Sequence, residues 1–187
     1  MPKSISDDIQ DVLITEEQIE KRCAELALQI ETDYLNKNEV PVVVGLLKGS
    51  IPFMAELIKY FKEPIEIDFM SVSSYQGTRS LGNVKIDKDM DLSARDKNVL
   101  VVEDIIDTGR TIQEVRRLLY HKGARDVKIV ALLDKPDRRV VDVQGDYIGF
   151  TIPDKFVVGY GLDYNQRYRN LPYIGVLNDR VYANEEY

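Results

Sequence analysis

The sequence contains little of what marks a secreted protein. It has no tryptophan, one histidine and one cysteine in 187 residues. A single cysteine, Cys23, cannot close an internal disulfide, which argues against a disulfide-stabilised secreted domain. It lies in an amphipathic helical pattern with no base evident beside it, so we interpret it as a core thiol and not as a nucleophile. The cytoplasm is therefore the expected compartment.

Long apolar runs and a surplus of basic residues are also absent. No run approaches the roughly 18 residues that a membrane helix needs, and the polar, acidic start is unlike a signal peptide. The formal net charge is −7, from 32 acidic and 25 basic residues, whereas non-specific nucleic-acid binding depends on a basic surface. We expect neither a membrane nor a nucleic acid as partner. A polyphosphate ligand stays compatible, since loops and divalent cations can overcome an unfavourable overall field.

Alternating strand and helix patterns predict an α/β fold with a largely parallel sheet. The length fits a single domain, residues 1–187, without repeat or linker. A capping-box pattern at Thr15 predicts a helix over about residues 15–36. Ser50 is expected to cap a second helix, with Pro52 in its first turn. Strands are predicted at 41–47, 65–72, 84–86, 99–102, 127–133, 146–150, 155–160 and 174–177, further helices at 51–61 and 111–123, and a solvated charged connector at 87–97.

The most informative stretch reads VLVVEDIIDTGRT and spans Val99 to Thr111. The β-branched run 99–102 suits a strand covered on both faces, and Glu103 and Asp104 follow it directly. Two adjacent carboxylates have no place in a core unless something binds them. Residues 107–111 then lead into a helix, whose free N–H groups can hold a phosphate. An ordinary strand, turn and helix with an Asp cap is the alternative, but capping does not explain the two acids.

Ligands of open α/β sheets collect at the carboxyl ends of the strands. Four segments occupy that position: 47–50, the acid-rich loop after Val102, Lys135 after Leu133, and the segment after Val158. Their coincidence is stronger evidence for a binding site than any one motif. Residues 73–82 are rich in serine and glycine and lack periodicity, so they form either a surface hairpin tip or a lid.

Five segments resemble the hypoxanthine-guanine branch of the type I phosphoribosyltransferase family. They read GLLKGS (45–50), DFMSVSSYQGT (68–78), VVEDIIDTGRT (101–111), LLDKPDRR (132–139) and PDKFVVGYGLDYNQRYRNLPYIGVL (153–177). The resemblance implies the type I phosphoribosyltransferase fold: a central, mostly parallel sheet flanked by helices, a small hood from the N-terminal and C-terminal segments, and a flexible lid loop at about 73–83. It also implies transfer of the 5-phosphoribosyl group from phosphoribosyl pyrophosphate (PRPP) to hypoxanthine, and to guanine, with Mg²⁺ as cofactor. IMP or GMP and diphosphate would be the products.

The same resemblance implies which residues meet the purine. Asp107 would accept the proton of a ring nitrogen. Lys135 would donate to a 6-oxo group and so select hypoxanthine or guanine over adenine. Phe156 would stack on the ring, and Val157 would offer backbone groups to its edge. Helix capping by Asp107, a surface position for Lys135 and a core position for Phe156 are the alternatives.

Other residues are implied around the sugar, its phosphates and the metal. Glu103 and Asp104 would hold the ribose hydroxyls directly or through Mg²⁺, and Asp163 would lie beside pyrophosphate and a second metal. Arg169 would grip the pyrophosphate, with Arg167 as the alternative. The Leu47–Lys48 peptide would be cis, as in the family. The remaining substrate contacts are expected from Lys48, Gly49, Ser74, Tyr75, Ile106, Thr108, Gly109, Arg110 and Thr111.

Other functions stay open beside this one. A xanthine-preferring transferase is compatible with the same motifs. A PRPP-sensing, RNA-binding regulator on the same fold would be supported by a basic face, which the acidic balance does not favour. An inactive binding module would be expected to lack one of Asp107, Lys135 or Arg169, and all three are present. Exposed apolar strand ends predict a homodimer or homotetramer.

Overall fold

The computed structural model describes residues 5–35, 40–74 and 84–183. Most of the predicted lid loop, with Tyr75, lies outside these ranges, as do the contacts predicted for the Ser74 side chain. No helix within the described ranges is both long and apolar enough to cross a bilayer.

A six-stranded sheet forms the centre of the molecule and confirms the predicted fold class. Its strand order is β4-β3-β2-β5-β6-β7, and every neighbouring pair is parallel except β3 and β4. The strands are β2 (Val42–Leu46), β3 (Glu66–Ser74), β4 (Val84–Lys88), β5 (Asn98–Ile106), β6 (Asp126–Asp134) and β7 (Tyr147–Thr151).

Strand β5 is covered on both faces, as its sequence predicts. Leu100 and Val102 pack in the cluster formed with helices α1 (Glu16–Ile30) and α2 (Ile51–Leu57). Val99 and Val101 pack on the opposite face, in the cluster formed with helix α3 (Arg110–His121). All four side chains are fully buried, because successive residues of a strand point to opposite faces and both faces carry helices.

The predicted helix boundaries hold where a local signal sets them. Thr15 caps α1 with the complete capping box, in which its side chain accepts from the Gln18 N–H. The α-helix ends at Ile30, and a π-helical turn, Glu31–Leu35, completes the predicted range. Ser50 is the N-cap residue of α2 and Pro52 lies in its first turn, as predicted, although the Ser50 side chain makes no capping hydrogen bond.

A second sheet has three antiparallel strands in the order β1-β9-β8. They are β1 (Ile9–Ile14), β8 (Val157–Val158) and β9 (Ile174–Leu177), and helix α4 (Asp179–Tyr182) follows. The strand predicted over 155–160 contains only two strand residues. Strand β1 and helix α4 were not predicted, because β1 is mostly exposed and its pairing with β9 has two register shifts.

The charged connector between β4 and β5 is not a purely solvated turn. Met90 and Ala94 are buried in it. The Asp68 carboxylate of β3 accepts hydrogen bonds from the backbone N–H groups of Asp91 and Leu92, each 2.7 Å long. Hydrogen bonds to the Asp68 side chain and burial of two apolar side chains therefore hold this segment against the sheet, despite its polar composition.

Candidate active site

The central strands deliver three predicted site segments to one edge of the sheet. Strands β2, β5 and β6 are neighbours and end at Leu46, Ile106 and Asp134. Ile106 pairs with Asp134, and the Lys135 N–H donates to the Ile106 carbonyl oxygen at 3.0 Å. Asp107 and Lys135 therefore follow directly paired residues of adjacent parallel strands, at the carboxyl edge where ligands bind in such sheets.

Glu103 and Asp104 place two carboxylates at this edge, and no basic side chain of the described residues forms an ion pair with either. Glu103 is 9% exposed and lines a cleft of about 190 Å³. Burial raises the pKa of Glu103 well above its usual range, and the adjacent charge of Asp104 raises it further. Since a buried carboxylate is stabilised by a cation or by hydrogen-bond donors, these oxygens suit a divalent ion or sugar hydroxyls.

The start of α3 forms the opposite wall of the cleft, which is lined by Asp107, Thr108, Gly109, Thr111 and Ile112. Gly109 precedes the helix with a φ of +85°, a left-handed conformation that favours glycine. A Cβ at Gly109 would lie 2.6 Å from Val143 Cγ1 and 2.8 Å from Arg139 Cδ. Glycine is thus required by backbone conformation and by packing. The helix that it begins has backbone N–H groups able to bind an anion, although the Arg110 N–H makes a long contact of 3.5 Å with Thr108 Oγ1.

Asp107 makes a contact that its sequence context did not predict. Its Oδ1 accepts a hydrogen bond of 2.8 Å from Arg138 Nε, and Arg139 donates to its carbonyl oxygen. Gly109 is the N-cap of α3, which has no side-chain capping hydrogen bond. The capping alternative for Asp107 is therefore wrong.

Neither Lys135 nor Phe156 lies where the alternative interpretation of its sequence position places it. Lys135 is only 8% exposed, so it is not a surface lysine, and its Nζ donates to the Lys155 carbonyl oxygen at 2.6 Å.

Phe156 is 37% exposed and is not a core residue. Its ring contacts those of Tyr164 and Tyr182, at centroid distances of 5.7 and 5.4 Å. Val157 beside it is buried in the three-stranded sheet. Neither tyrosine was predicted, and no local pattern marks them.

The loop after β2 packs closely against the central acids. The Leu47–Lys48 peptide is cis, as predicted. A Cβ at Gly49 would lie 1.6 Å from Asp104 Oδ2, and a Cβ at Gly161 would lie 1.9 Å from the Gly49 carbonyl oxygen. The absence of a side chain at both positions thus allows the loop after β2 to contact Asp104 and the segment after β8.

Asp163 and Arg169 form an ion pair of 2.8 Å within the segment after β8. Arg169 also donates to the Gly161 carbonyl oxygen at 2.7 Å, while its buried Nε has no partner among the described residues. Gln166 Oε1 lies 3.3 Å from both Lys48 Nζ and an Arg169 nitrogen. Gln166 was not predicted, and it links the two segments expected to bind pyrophosphate.

The predicted metal residues belong to two expected sites, with Glu103 and Asp104 at the first and Asp163 at a second. Within the described ranges, no group of three or more His, Cys, Asp or Glu side chains could hold a metal ion. Asp163 is paired with Arg169, and the metal roles of Glu103, Asp104 and Asp163 stay predictions. The donor set at Glu103 and Asp104 suits Mg²⁺ only as an ion that keeps waters or substrate oxygens among its ligands.

Comparison with known proteins relates the whole arrangement to one family. Residues 10–165 match the phosphoribosyl transferase domain family. The hypoxanthine-guanine phosphoribosyltransferase of Lactococcus lactis is 51% identical over 183 residues, covering 97% of this chain and 98% of the relative. That of Bacillus subtilis is 51% identical over 178 residues, covering 95% and 98%. A hypoxanthine phosphoribosyltransferase structure from Staphylococcus aureus superposes with a TM-score of 0.92 at 49% identity and covers 98% of this chain and 100% of that one.

Proposed function

Because the chain belongs to the phosphoribosyltransferase family, we propose that it is a purine-salvage enzyme, a hypoxanthine-guanine phosphoribosyltransferase. It transfers the 5-phosphoribosyl group of PRPP to hypoxanthine or guanine and forms IMP or GMP and diphosphate. The observation that carries this assignment is the juxtaposition of Asp107 and Lys135 at paired strand ends, beside the cleft of Glu103 and the α3 start.

The purine-binding end supplies one proton acceptor and one proton donor. A ring nitrogen of the purine forms a bond to the ribose anomeric carbon as the bond from that carbon to pyrophosphate breaks. Asp107 accepts the proton that the purine loses, a role for which a positioned carboxylate suffices. Lys135 donates to the 6-oxo oxygen, whereas a 6-amino group presents N–H donors at the same position and offers the buried ammonium no acceptor there.

The sugar and its 5′-phosphate occupy the cleft under this proposal. Backbone N–H groups and hydroxyls of Thr108, Gly109, Arg110 and Thr111 hold the phosphate at the α3 start. Glu103 and Asp104 hold the ribose hydroxyls. Mg²⁺ bound near these acids would neutralise charge on the departing pyrophosphate.

Pyrophosphate lies between the Lys48–Gly49 loop and the segment that carries Asp163 and Arg169. The contact of Gly161 with Gly49 and the Gln166 contacts support this position, because they bring both segments together. Ser74 and Tyr75 are proposed to cover the pyrophosphate when the lid closes.

The proposal extends to assembly and compartment. Ile67 of β3 and Ile86 of β4 are 49% and 39% exposed near one edge of the central sheet. Such apolar exposure supports a homodimer or homotetramer. A cytoplasmic location is supported by the single buried, unpaired cysteine.

A spectrophotometric assay tests the function directly. Purified enzyme is mixed with PRPP and Mg²⁺ and with hypoxanthine, guanine, xanthine or adenine in turn. We expect turnover of hypoxanthine and guanine and none of adenine. Turnover of adenine without hypoxanthine would overturn the role of Lys135, and turnover of xanthine alone would favour the xanthine-preferring alternative. Failure with every purine would overturn the proposed function.

A further inference from the structure

Four side chains of alternating charge connect the proposed proton acceptor to the proposed 6-oxo donor. Asp107 Oδ1 accepts from Arg138 Nε at 2.8 Å. A terminal guanidinium nitrogen of Arg138 lies 3.5 Å from Asp154 Oδ2. The other oxygen of Asp154 lies 3.7 Å from Lys135 Nζ. We call Arg138 and Asp154 the charge bridge.

The local backbone holds Arg138 close to Lys135. Pro136–Arg138 forms a single 3₁₀ turn after β6, closed by a hydrogen bond of 3.1 Å from the Arg138 N–H to the Lys135 carbonyl oxygen. The turn brings Arg138 beside the residue three positions earlier. Asp154 comes from the segment between β7 and β8, so the charge bridge also joins two parts of the chain.

Stability alone does not account for this arrangement. The Arg138 and Asp107 side chains are 47% and 40% exposed, and ion pairs at such positions contribute little to the free energy of unfolding. The charges of Asp107 and Asp154 nevertheless raise the pKa of Arg138, Asp107 having the larger effect. An arginine fork engaged by two carboxylates has a defined direction, which a lysine ammonium lacks.

The proposed purine substrate requires two protein groups at a fixed spacing, which the charge bridge could maintain. The 6-oxo oxygen and the ring nitrogen N7 lie on the same edge of a 6-oxopurine. A proton acceptor for N7–H and a donor for the oxygen must therefore be held at matched spacing and at the same time. Arg138 uses Asp107 Oδ1, and no donor within the described ranges reaches Oδ2, which leaves that oxygen for the purine.

We propose that Arg138 is a positioning residue which, through Asp154, holds Asp107 in register with Lys135 for a 6-oxopurine. This inference rests on the proposed function and adds a residue to its machinery. Misplacement of a reacting group by about 1 Å can reduce a rate by about 100-fold. Loss of a partially exposed orienting contact should cost less, about tenfold.

The test compares Arg138→Met, Arg138→Lys and Asp154→Asn with the wild-type enzyme, and with Arg117→Met as matched control. Arg117 is 79% exposed on α3, with only a 3.9 Å pair to Glu114. The readouts are the single-turnover rate with hypoxanthine, the KM for PRPP and the Tm. Single turnover is used because product release sets kcat in many enzymes.

We expect Arg138→Met to lower the single-turnover rate about tenfold with little change in the KM for PRPP or in Tm. Arg138→Lys should recover part of the loss, Asp154→Asn should show a smaller loss, and Arg117→Met should match the wild type. A rate of Arg138→Met equal to that of Arg117→Met would overturn the inference. So would equal losses in Arg138→Lys and Arg138→Met accompanied by a lower Tm, since that result indicates a purely structural role.

The wild-type reaction separates this inference from the proposed function. Turnover by the wild type with no effect at Arg138 overturns only the positioning role. Absence of turnover by the wild type overturns the proposed function and the inference with it. Should Arg138→Met fold poorly, Arg138→Lys and Asp154→Asn decide the question.

Discussion

Asp107, the proposed proton acceptor, lies where the buried strand β5 ends and the exposed loop begins. Ile106 before it is 1% exposed, whereas the Asp107 side chain is 40% exposed and hydrogen-bonded to Arg138. A carboxylate fixed on one oxygen and open on the other is oriented for proton transfer.

Substitution of Asp107 by asparagine tests this role with almost no change in shape. The amide side chain would keep a hydrogen-bonding oxygen but could not take up a proton, so kcat should fall by about 10²- to 10⁴-fold. Steady-state assays with hypoxanthine measure the effect, and Asp137→Asn, at an exposed position of the neighbouring turn, controls for the lost charge. An unchanged kcat would remove Asp107 from the mechanism.

Gly49 provides a second test, one of substrate binding. An alanine Cβ would lie 1.6 Å from Asp104 Oδ2, so either the carboxylate or the loop must move. We expect Gly49→Ala to raise the KM for PRPP by at least about tenfold, because Asp104 is proposed to hold the ribose hydroxyls of PRPP and the loop to contact its pyrophosphate. Kinetics at varied PRPP would show this, with Tm as the check on folding. A wild-type KM would place PRPP away from this loop.

Site residues that carry a local signal were predictable from the sequence, whereas their distant partners were not. Glu103 and Asp104 were recognisable because two acids interrupt an apolar run. Arg138 was not, since it lies 31 positions from Asp107 and its ion pair arises only when β5 and β6 become neighbours. Gln166 was missed for the same reason, because its contact with Lys48 spans 118 positions.

Helices and strands were likewise predictable where a local sequence signal marks them and not where distant contacts form them. Helix α1 was predicted at its start because the capping box is contained in four consecutive residues. Strand β1 was not predicted, because its apolar and polar residues do not alternate and it forms by pairing with β9, at the opposite end of the chain. Elements stabilised mainly by tertiary pairing leave little periodicity to detect.

The capping box of α1 gives a prediction about this element alone. Thr15→Ala removes the oxygen that accepts from the Gln18 N–H, so the free energy of unfolding should fall by about 1 kcal/mol. Urea denaturation measures the change, and kcat should stay at the wild-type value, since α1 supplies none of the proposed site residues. Thr15→Ser, which keeps the hydroxyl oxygen that accepts from the Gln18 N–H, is the control. Equal stability of the two variants would show that the box is dispensable.

At the scale of the whole molecule, each of the two sheets supplies a different part of the proposed site. The parallel sheet brings the carboxyl ends of β2, β5 and β6 together, and the three-stranded sheet supplies Phe156, Val157 and the segment with Arg169. Their sequence motifs are well separated along the chain; the position of the segments at strand ends predicted a shared site, whereas the role of each residue came from the resemblance to the family. The fold class was predictable from alternation alone.

The integrity of the central sheet at low pH should depend on Asp68, whose carboxylate holds the connector between β4 and β5. Burial alone would raise its pKa, but hydrogen bonds from the backbone N–H groups of Leu92, Phe69 and Asp91 outweigh burial and lower the pKa. The folded-state pKa thus lies below the unfolded value of about 3.9. The charged form therefore stabilises the fold above the unfolded pKa, and this contribution is lost as the pH falls through the folded pKa.

Asp68→Asn should consequently lower the free energy of unfolding at pH 7 and flatten its decline below about pH 4, because asparagine does not titrate. Urea denaturation between about pH 2.5 and 7, in about half-unit steps, measures both effects. Asp91→Asn is the matched control, since its side chain is 85% exposed while its backbone N–H still binds Asp68. A variant whose acid decline parallels that of the wild type would show that other carboxylates govern acid unfolding, and that the connector does not depend on this charge.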